Sequence, residues 1–289
     1  MDFAIIVVLE VLSAIGTLVI ISLGLGIIFG MMRVINIAHG EFLMLGAYTV
    51  LISVKAGINI WIAMLVLAPL VVGVIGVIIE RCLIQFLYGA RMLDTLLATW
   101  GLSLLLIGAI TMIFGNTVEG VSSPLGGFDI GAYKMSLYTI FVIVVAALLL
   151  LGTLAVLKFT KLGLIARGTM QNAGMAAALG VSPPKVYMVT FGIGAALTGL
   201  AGGILAPLTG VVPTMGVAFI AKAFITVISG GAAMVAGTAS ASALFGGISQ
   251  LATFITTPVW GDAALLFIAV IMLRMLPQGI TGKFFRRSI

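Results

Sequence analysis

The feature that most limits what this chain can fold into is a succession of unbroken apolar runs near 20 residues long, such as LYTIFVIVVAALLLLGTLAVL at 137–157. A helix rises about 1.5 Å per residue, so about 20 apolar residues match a hydrocarbon layer about 30 Å thick. Strands of a membrane barrel would alternate apolar and polar residues over about ten positions, and these runs do not alternate. Backbone groups in lipid must pair within their own segment, which leaves the helix as the element that fits. Charge agrees: 8% of the residues are charged and 62% hydrophobic, against about 25% charged in soluble domains. A soluble fold of this length could not hide so much apolar surface.

The expected fold is therefore all-α and polytopic, with eight or nine spans. The runs lie at 3–31, 37–54, 60–80, 93–114, 137–157, 186–207, 217–231, 238–256 and 263–277. Two of them are irregular. Segment 37–54 opens on the polar run Asn36-Ile37-Ala38-His39-Gly40-Glu41, and segment 217–231 is short, contains Lys222 and ends in Ser229-Gly230-Gly231. Either can be a broken or re-entrant helix. The first cation is Arg33, and Met1-Asp2-Phe3 lacks the positive side chain of a secretory signal, so the first run reads as a retained span. Residues 1–289 read as one transmembrane domain.

Cations set the expected orientation. Placing Arg33, Arg81, Arg91, Lys158, Lys161, Arg167, Lys185, Lys283, Arg286 and Arg287 on one side, with Arg274 inside the last span near that same side, leaves Lys55, Lys134 and Lys222 on the other. The first side is then the cytoplasm, with the N-terminus outside and the C-terminus inside. Scattered in this way at span ends, the cations behind the sequence pI of about 9.7 describe a membrane topology, not a nucleic-acid surface. Residues 115–136 form an external loop and 158–185 the main cytoplasmic loop. Within the latter, 166–180 is alanine-rich and helix-competent, with Gly180 as its C-cap and Pro183-Pro184 preventing continuation.

Glycine is abundant, 37 residues in all, and recurs inside the spans, as at Gly192, Gly194, Gly199, Gly202 and Gly203. Small residues let helix backbones approach closely in lipid, so helix packing is the preferred role of these five. Some glycines can instead flank a solute path, which bulky side chains would close.

Several chemistries are excluded. No G-x-x-x-x-G-K-[ST] phosphate loop exists, so the chain does not hydrolyse ATP itself. His39 is the only histidine and Cys82 the only cysteine. That removes a two-histidine zinc site, a serine–histidine dyad, a cysteine metal cluster and an internal disulfide, and no metal site is expected. Asp94 and Asp262 sit at span ends and do not make an intramembrane aspartate pair. The ionisable groups at membrane level are Glu10, His39, Glu41 and Glu80. Glu10 reads as shallow and Glu80, beside Arg81, as half of an interfacial ion pair. Asn36, His39, Gly40 and Glu41 stand together at a helix start. They are candidates for a broken helix or for the translocation path, and the preferred role of His39 and Glu41 is to satisfy exposed backbone and fix the helix entry.

The run from Ile35 to Tyr48, INIAHGEFLMLGAY, resembles the permeases of branched-chain amino acid ABC importers, more closely the LivH type than the LivM type. Arg167–Gly180, Thr190–Gly203 with Ala206-Pro207, and Pro277-Gln278-Gly279 also fit that family, so the resemblance covers nearly the whole chain. It implies a subunit of the bacterial inner membrane that forms half of a translocation pathway. Its implied partners are a second homologous permease (commonly giving a heterodimer), two cytosolic ATPase subunits and an extracytoplasmic solute-binding protein. ATP and Mg would be used by those partners, with no cofactor on this chain. The 166–180 segment would be the coupling helix, with Arg167, Gln171, Asn172, Ala176, Ala177, Leu179 and Gly180 facing the ATPase. The same family includes urea and short-chain amide permeases, which the 170–180 segment also resembles. A stand-alone channel or secondary carrier is the alternative from another class.

Overall fold

The structure is a computed structural model that describes residues 2–285 except 33, 132 and 232. Arg33, Arg286 and Arg287, used above to set the orientation, lie outside the described residues, as does the side chain of Lys283. In chain order the elements are α1 (Asp2–Met32), α2 (His39–Lys55), α3 (Ile60–Cys82), α4 (Met92–Phe114), β1 (Gly127–Ile130), β2 (Tyr133–Ser136), α5 (Leu137–Phe159), α6 (Lys161–Gln171), α7 (Ala173–Ala178), α8 (Pro183–Thr209), α9 (Met215–Gly230), α10 (Met234–Ile255), α11 (Pro258–Met275) and α12 (Gly279–Phe285).

Every run read as a span is helical, but not every helix is long enough to cross. Among the described residues, six segments are long and apolar enough: α1, α3, α4, α5, α8 and Pro258–Gly282, the last spanning α11 and the start of α12. Counting α9 and α10 as one bent segment, with 117° between them, brings the number to seven. The 17-residue α2 is about 25 Å long, shorter than the hydrocarbon layer. The polytopic all-α class therefore holds, with six or seven long apolar segments. The loop 115–136 also contains an antiparallel hairpin, β1 with β2, paired from Gly127↔Ser136 to Ile130↔Tyr133.

Local chemistry explains the irregularities. Asn59 caps α3 by accepting a hydrogen bond from the Trp61 amide at 2.9 Å. Pro69 in α3 has no N–H, and its ring would crowd the carbonyl four residues earlier. A π-turn over Ala63–Leu67 widens the helix just there. The 166–180 stretch is not one helix. Asn172 is extended and ends α6, and its side chain accepts from the Met175 amide at 2.9 Å to start α7. Gly180 follows α7 in the left-handed region at φ +86°, and Pro183 and Pro184 open α8.

The chain divides into two compact units. The first contains 1–23, 123–152 and 222–289. In it α10 packs on α11 and α12, and Lys222 pairs with Asp262 at 2.7 Å. Thr281 ties α12 to the start of α10 by donating to the Gly230 carbonyl at 2.5 Å while accepting from the Ala233 amide at 3.1 Å.

The second unit contains 24–122 and 153–221 and is centred on α8. The most apolar 18-residue stretch of α8 is 67% buried, whereas that of α5 is 11% buried. α8 is thus a largely buried helix and α5 a largely exposed one. α2 and α3 pack on α8 around Ile28, Val34, Phe42, Val72, Ile84, Phe191 and Ala195, with Phe42 and Phe191 edge-to-face at 5.8 Å. On α8 a Cβ at Gly194 would lie 2.5 Å from Ile28 Cγ1, at Gly199 2.5 Å from Val72 Cβ, at Gly192 2.6 Å from Val77 Cγ2 and at Gly203 3.1 Å from Val50 Cγ2. At Gly202 it would run into the Leu43 carbonyl oxygen. The five glycines therefore stand where α1, α2 and α3 come closest to the central helix.

Candidate functional site

Between α1 and α2 the chain leaves helical geometry over Val34–Ala38. This joint is inside the protein: Asn36 is 0% exposed, His39 2% and Glu41 2%. It is also deep along its neighbours. His39 meets Thr198, fifteen residues into α8, which is about 22 Å along a helix axis. The Ile37 amide meets Thr99, seven residues into α4, about 10 Å along. Irregular backbone at membrane depth is tolerated only where protein buries it or where it lines a watery cavity.

Two hydroxyl-bearing helices hold the joint. On α4, Thr99 Oγ1 accepts from the Ile37 amide at 3.2 Å and donates to the Thr95 carbonyl at 2.9 Å. One turn further, Ser103 donates to Glu41 Oε1 at 2.5 Å. On α8, Thr198 donates its hydroxyl proton to the Gly194 carbonyl at 2.8 Å. Its oxygen lies 3.2 Å from His39 Nε2, so that imidazole nitrogen is the donor in the pair. Gly40 completes the fit, since a Cβ there would lie 2.5 Å from the Gly216 carbonyl oxygen at the start of α9.

The structure thus brings Asn36, His39, Gly40 and Glu41 together. It adds Thr99, Ser103 and Thr198, which sequence reading missed. Thr95, Thr99 and Ser103 recur every fourth residue along an α4 face that is buried while Leu97, Trp100 and Leu104 are exposed. That spacing was the available signal.

Glu80 differs from expectation. It is 2% exposed and accepts from the Tyr88 hydroxyl at 2.5 Å, while Arg81 is exposed. Successive residues on a helix point about 100° apart, so neighbours in sequence cannot share a face. Tyr88 also stacks edge-on to Tyr187 at the start of α8, with ring centres 5.0 Å apart. Burial, together with the Glu80 carboxylate, pushes the Tyr88 hydroxyl well above the ordinary tyrosine range, so it remains a donor.

Of the residues placed at the coupling segment, Arg167, Gln171, Asn172, Ala177, Leu179 and Gly180 are exposed, whereas Ala176 is buried. The segment is a bent pair of short helices, α6 and α7, both packed on α8. A Thr160 cap starts α6, accepting from the Gly163 amide at 3.1 Å. No group of three or more metal-ligating side chains occurs among the described residues.

A polytopic helical protein with a helix break and a buried polar joint part-way along its long apolar helices belongs to the class of architectures that membrane transporters use. Comparison with known proteins makes this specific. The family model described as branched-chain amino acid transport system / permease component matches residues 7–276, and the chain belongs to that family. As a permease component it is a non-catalytic, multi-pass membrane subunit. The chain is 25% identical over 282 residues to the high-affinity branched-chain amino acid transport system permease protein LivH of Salmonella typhimurium, covering 92% of each chain. It is 26% identical over 283 residues to BraD, the corresponding permease protein of Pseudomonas aeruginosa, again covering 92% of each. A probable LivH of Methanocaldococcus jannaschii is 28% identical over 282 residues, covering 92% of this chain and 88% of that one. No solved structure matches.

Proposed function

We propose that this chain forms half of the transmembrane pathway of an ATP-driven importer for branched-chain amino acids. A second homologous permease supplies the other half, two cytosolic ATPase subunits drive the cycle with Mg and ATP, and an extracytoplasmic binding protein delivers the solute. The relatives' names, which specify branched-chain amino acid transport, support that cargo. Their agreement favours it over urea or short amides.

The observation that carries the ATP-driven reading is the α6–α7 pair. On this connector Met175 is 60% and Leu179 78% exposed. Large exposed apolar side chains on a connector between long apolar helices suit a protein partner, and a chain without its own phosphate loop needs one. In this reading Arg167, Gln171, Asn172, Ala177, Leu179 and Gly180 face the ATPase, and Ala176 seats the segment on the permease. The connector is cytoplasmic, the N-terminus lies outside and the C-terminus inside, and α2, α9 and α10 bring the membrane-embedded helices to eight or nine. His39 and Glu41 serve chiefly as clamps that hold the start of α2.

Reconstitution tests the proposal. Leucine uptake into vesicles should require both ATP and the ATPase subunits. Uptake by this chain alone would establish a channel or secondary carrier instead.

A further inference from the structure

The clamps account for most of the polar joint between α1 and α2, but not for all of it. Thr99 holds the Ile37 amide, Thr198 pairs with His39, and Ser103 occupies one oxygen of Glu41. Both amide atoms of Asn36, Nδ2 and Oδ1, have no hydrogen-bond partner among the described residues, and neither does Glu41 Oε2. Asn36 is fully buried, and the backbone atoms on either side of it, the Ile35 carbonyl and the Ile37 amide, both meet Thr99 Oγ1.

A residue kept only to stabilise the joint would use its polar atoms there. Leaving a buried amide unpaired forfeits the hydrogen bonds it would make in water, and an apolar side chain of similar shape would avoid that cost. Every such group in a native protein calls for an explanation. In transporters, discontinuous helices near mid-depth are where solutes are held.

We infer that the seam between 35–41 and the Thr95–Thr99–Ser103 face of α4 is a closed stretch of the solute path, in which the Asn36 carboxamide takes the polar head of the permeant. A carboxamide both donates and accepts. It can give a hydrogen bond to a carboxylate or carbonyl and receive one from an ammonium or amide N–H. That matches a zwitterionic amino acid and also a neutral amide. It disfavours a solute carrying several charges of one sign, which one neutral amide could not compensate in low dielectric. The unpaired Glu41 oxygen is a second acceptor in the same seam. The inference rests on the permease reading, and its test is built to be separable from it.

The test uses the assembled transporter in vesicles, with Cys82→Ser removing the native thiol of this chain. Thr95→Cys and Ser103→Cys are made singly, with Leu104→Cys as a control on the exposed side of α4. A charged, membrane-impermeant methanethiosulfonate is applied with and without Mg-ATP, and modification of this chain is read by mass. Thr95→Cys and Ser103→Cys should react roughly tenfold faster during ATP turnover, as expected if turnover populates an open state that is otherwise minor. Leu104→Cys should not change. Equal rates in the two conditions, or no reaction in either, would overturn the inference, and Thr95→Cys decides alone if the serine variant fails to assemble.

Asn36→Leu supplies a second readout. It should assemble at normal yield yet lower maximal uptake about tenfold at saturating binding protein, equivalent to about 1.4 kcal/mol. Normal uptake in that variant would overturn the role of Asn36. Leucine uptake by the Cys82→Ser transporter is measured first. If it moves no branched-chain amino acid, the cargo reading fails, while the labelling contrast still decides whether the seam opens.

Discussion

Ser103 on α4 donates a 2.5 Å hydrogen bond to Glu41 on α2, sixty-two residues earlier in the chain. Both residues are buried. The bond fixes where α2 begins and ties α4, a largely exposed helix, to the joint. Ser103→Ala would leave the carboxyl with neither oxygen paired in protein. The expected loss is about 1–3 kcal/mol, seen as a lower unfolding temperature in detergent. Glu41→Gln, which can still accept from Ser103, should be milder. Equal losses from the two variants would show that charge, and not this bond, governs the site.

The glycines of α8 make a second prediction with a control on another helix. Gly202→Ala places a methyl group against the Leu43 carbonyl oxygen. Backbone cannot move aside as a side-chain tip can, so the two helices must separate and the chain should fail to accumulate in the membrane. Gly101→Ala on α4 meets nothing within 4 Å. There the ordinary helix preference applies and the variant should gain about 0.5–1 kcal/mol. Expression and thermal stability of the two variants should move in opposite directions.

These contacts also mark what the sequence could convey. Apolar runs show the helices plainly, because span length and continuity are local properties. The polar run at Asn36–Glu41 shows that a helix begins there, again locally. Thr99, Ser103 and Thr198 could not be attached to it, since single hydroxyls at helical spacing are common and pairing across sixty or more residues leaves no local trace. Length misleads at α2, which is largely apolar after its polar first turn but has only 17 residues and begins deep in the protein. The Asn172 break inside an alanine-rich run depends on a side-chain cap competing with helix continuation, and helix propensity alone does not register that.

Tyr88 and Glu80 yield a prediction with a pH dependence. Tyr88→Phe removes the donor of a buried carboxylate and should cost about 1–3 kcal/mol. The hydroxyl titrates higher in the folded chain than in the unfolded one, so folding favours its protonated form. The contribution is complete below the unfolded tyrosine range and declines as pH rises through it. Unfolding temperature followed into alkali should fall more steeply for the native chain than for Tyr88→Phe. Parallel curves would mean that the hydroxyl does not carry this contact.

Leu179 separates folding from coupling. It is 78% exposed at the end of α7, so Leu179→Ala removes little packing within this chain and should change stability by less than about 0.5 kcal/mol. If the side chain enters a groove on the ATPase, its loss should weaken that contact by about 1–3 kcal/mol, the range for an apolar side chain of this size. ATPase co-purification and ATP-driven leucine uptake should then fall together while the permease remains folded. Asn172→Ala acts on the same segment by another route. It deletes the cap that starts α7, worth about 1 kcal/mol, and should loosen the segment without touching Leu179. Both variants should lower uptake, but only Asn172→Ala should increase proteolytic cutting within 171–180. Uncut, fully folded Leu179→Ala that transports normally would remove α7 from the coupling surface.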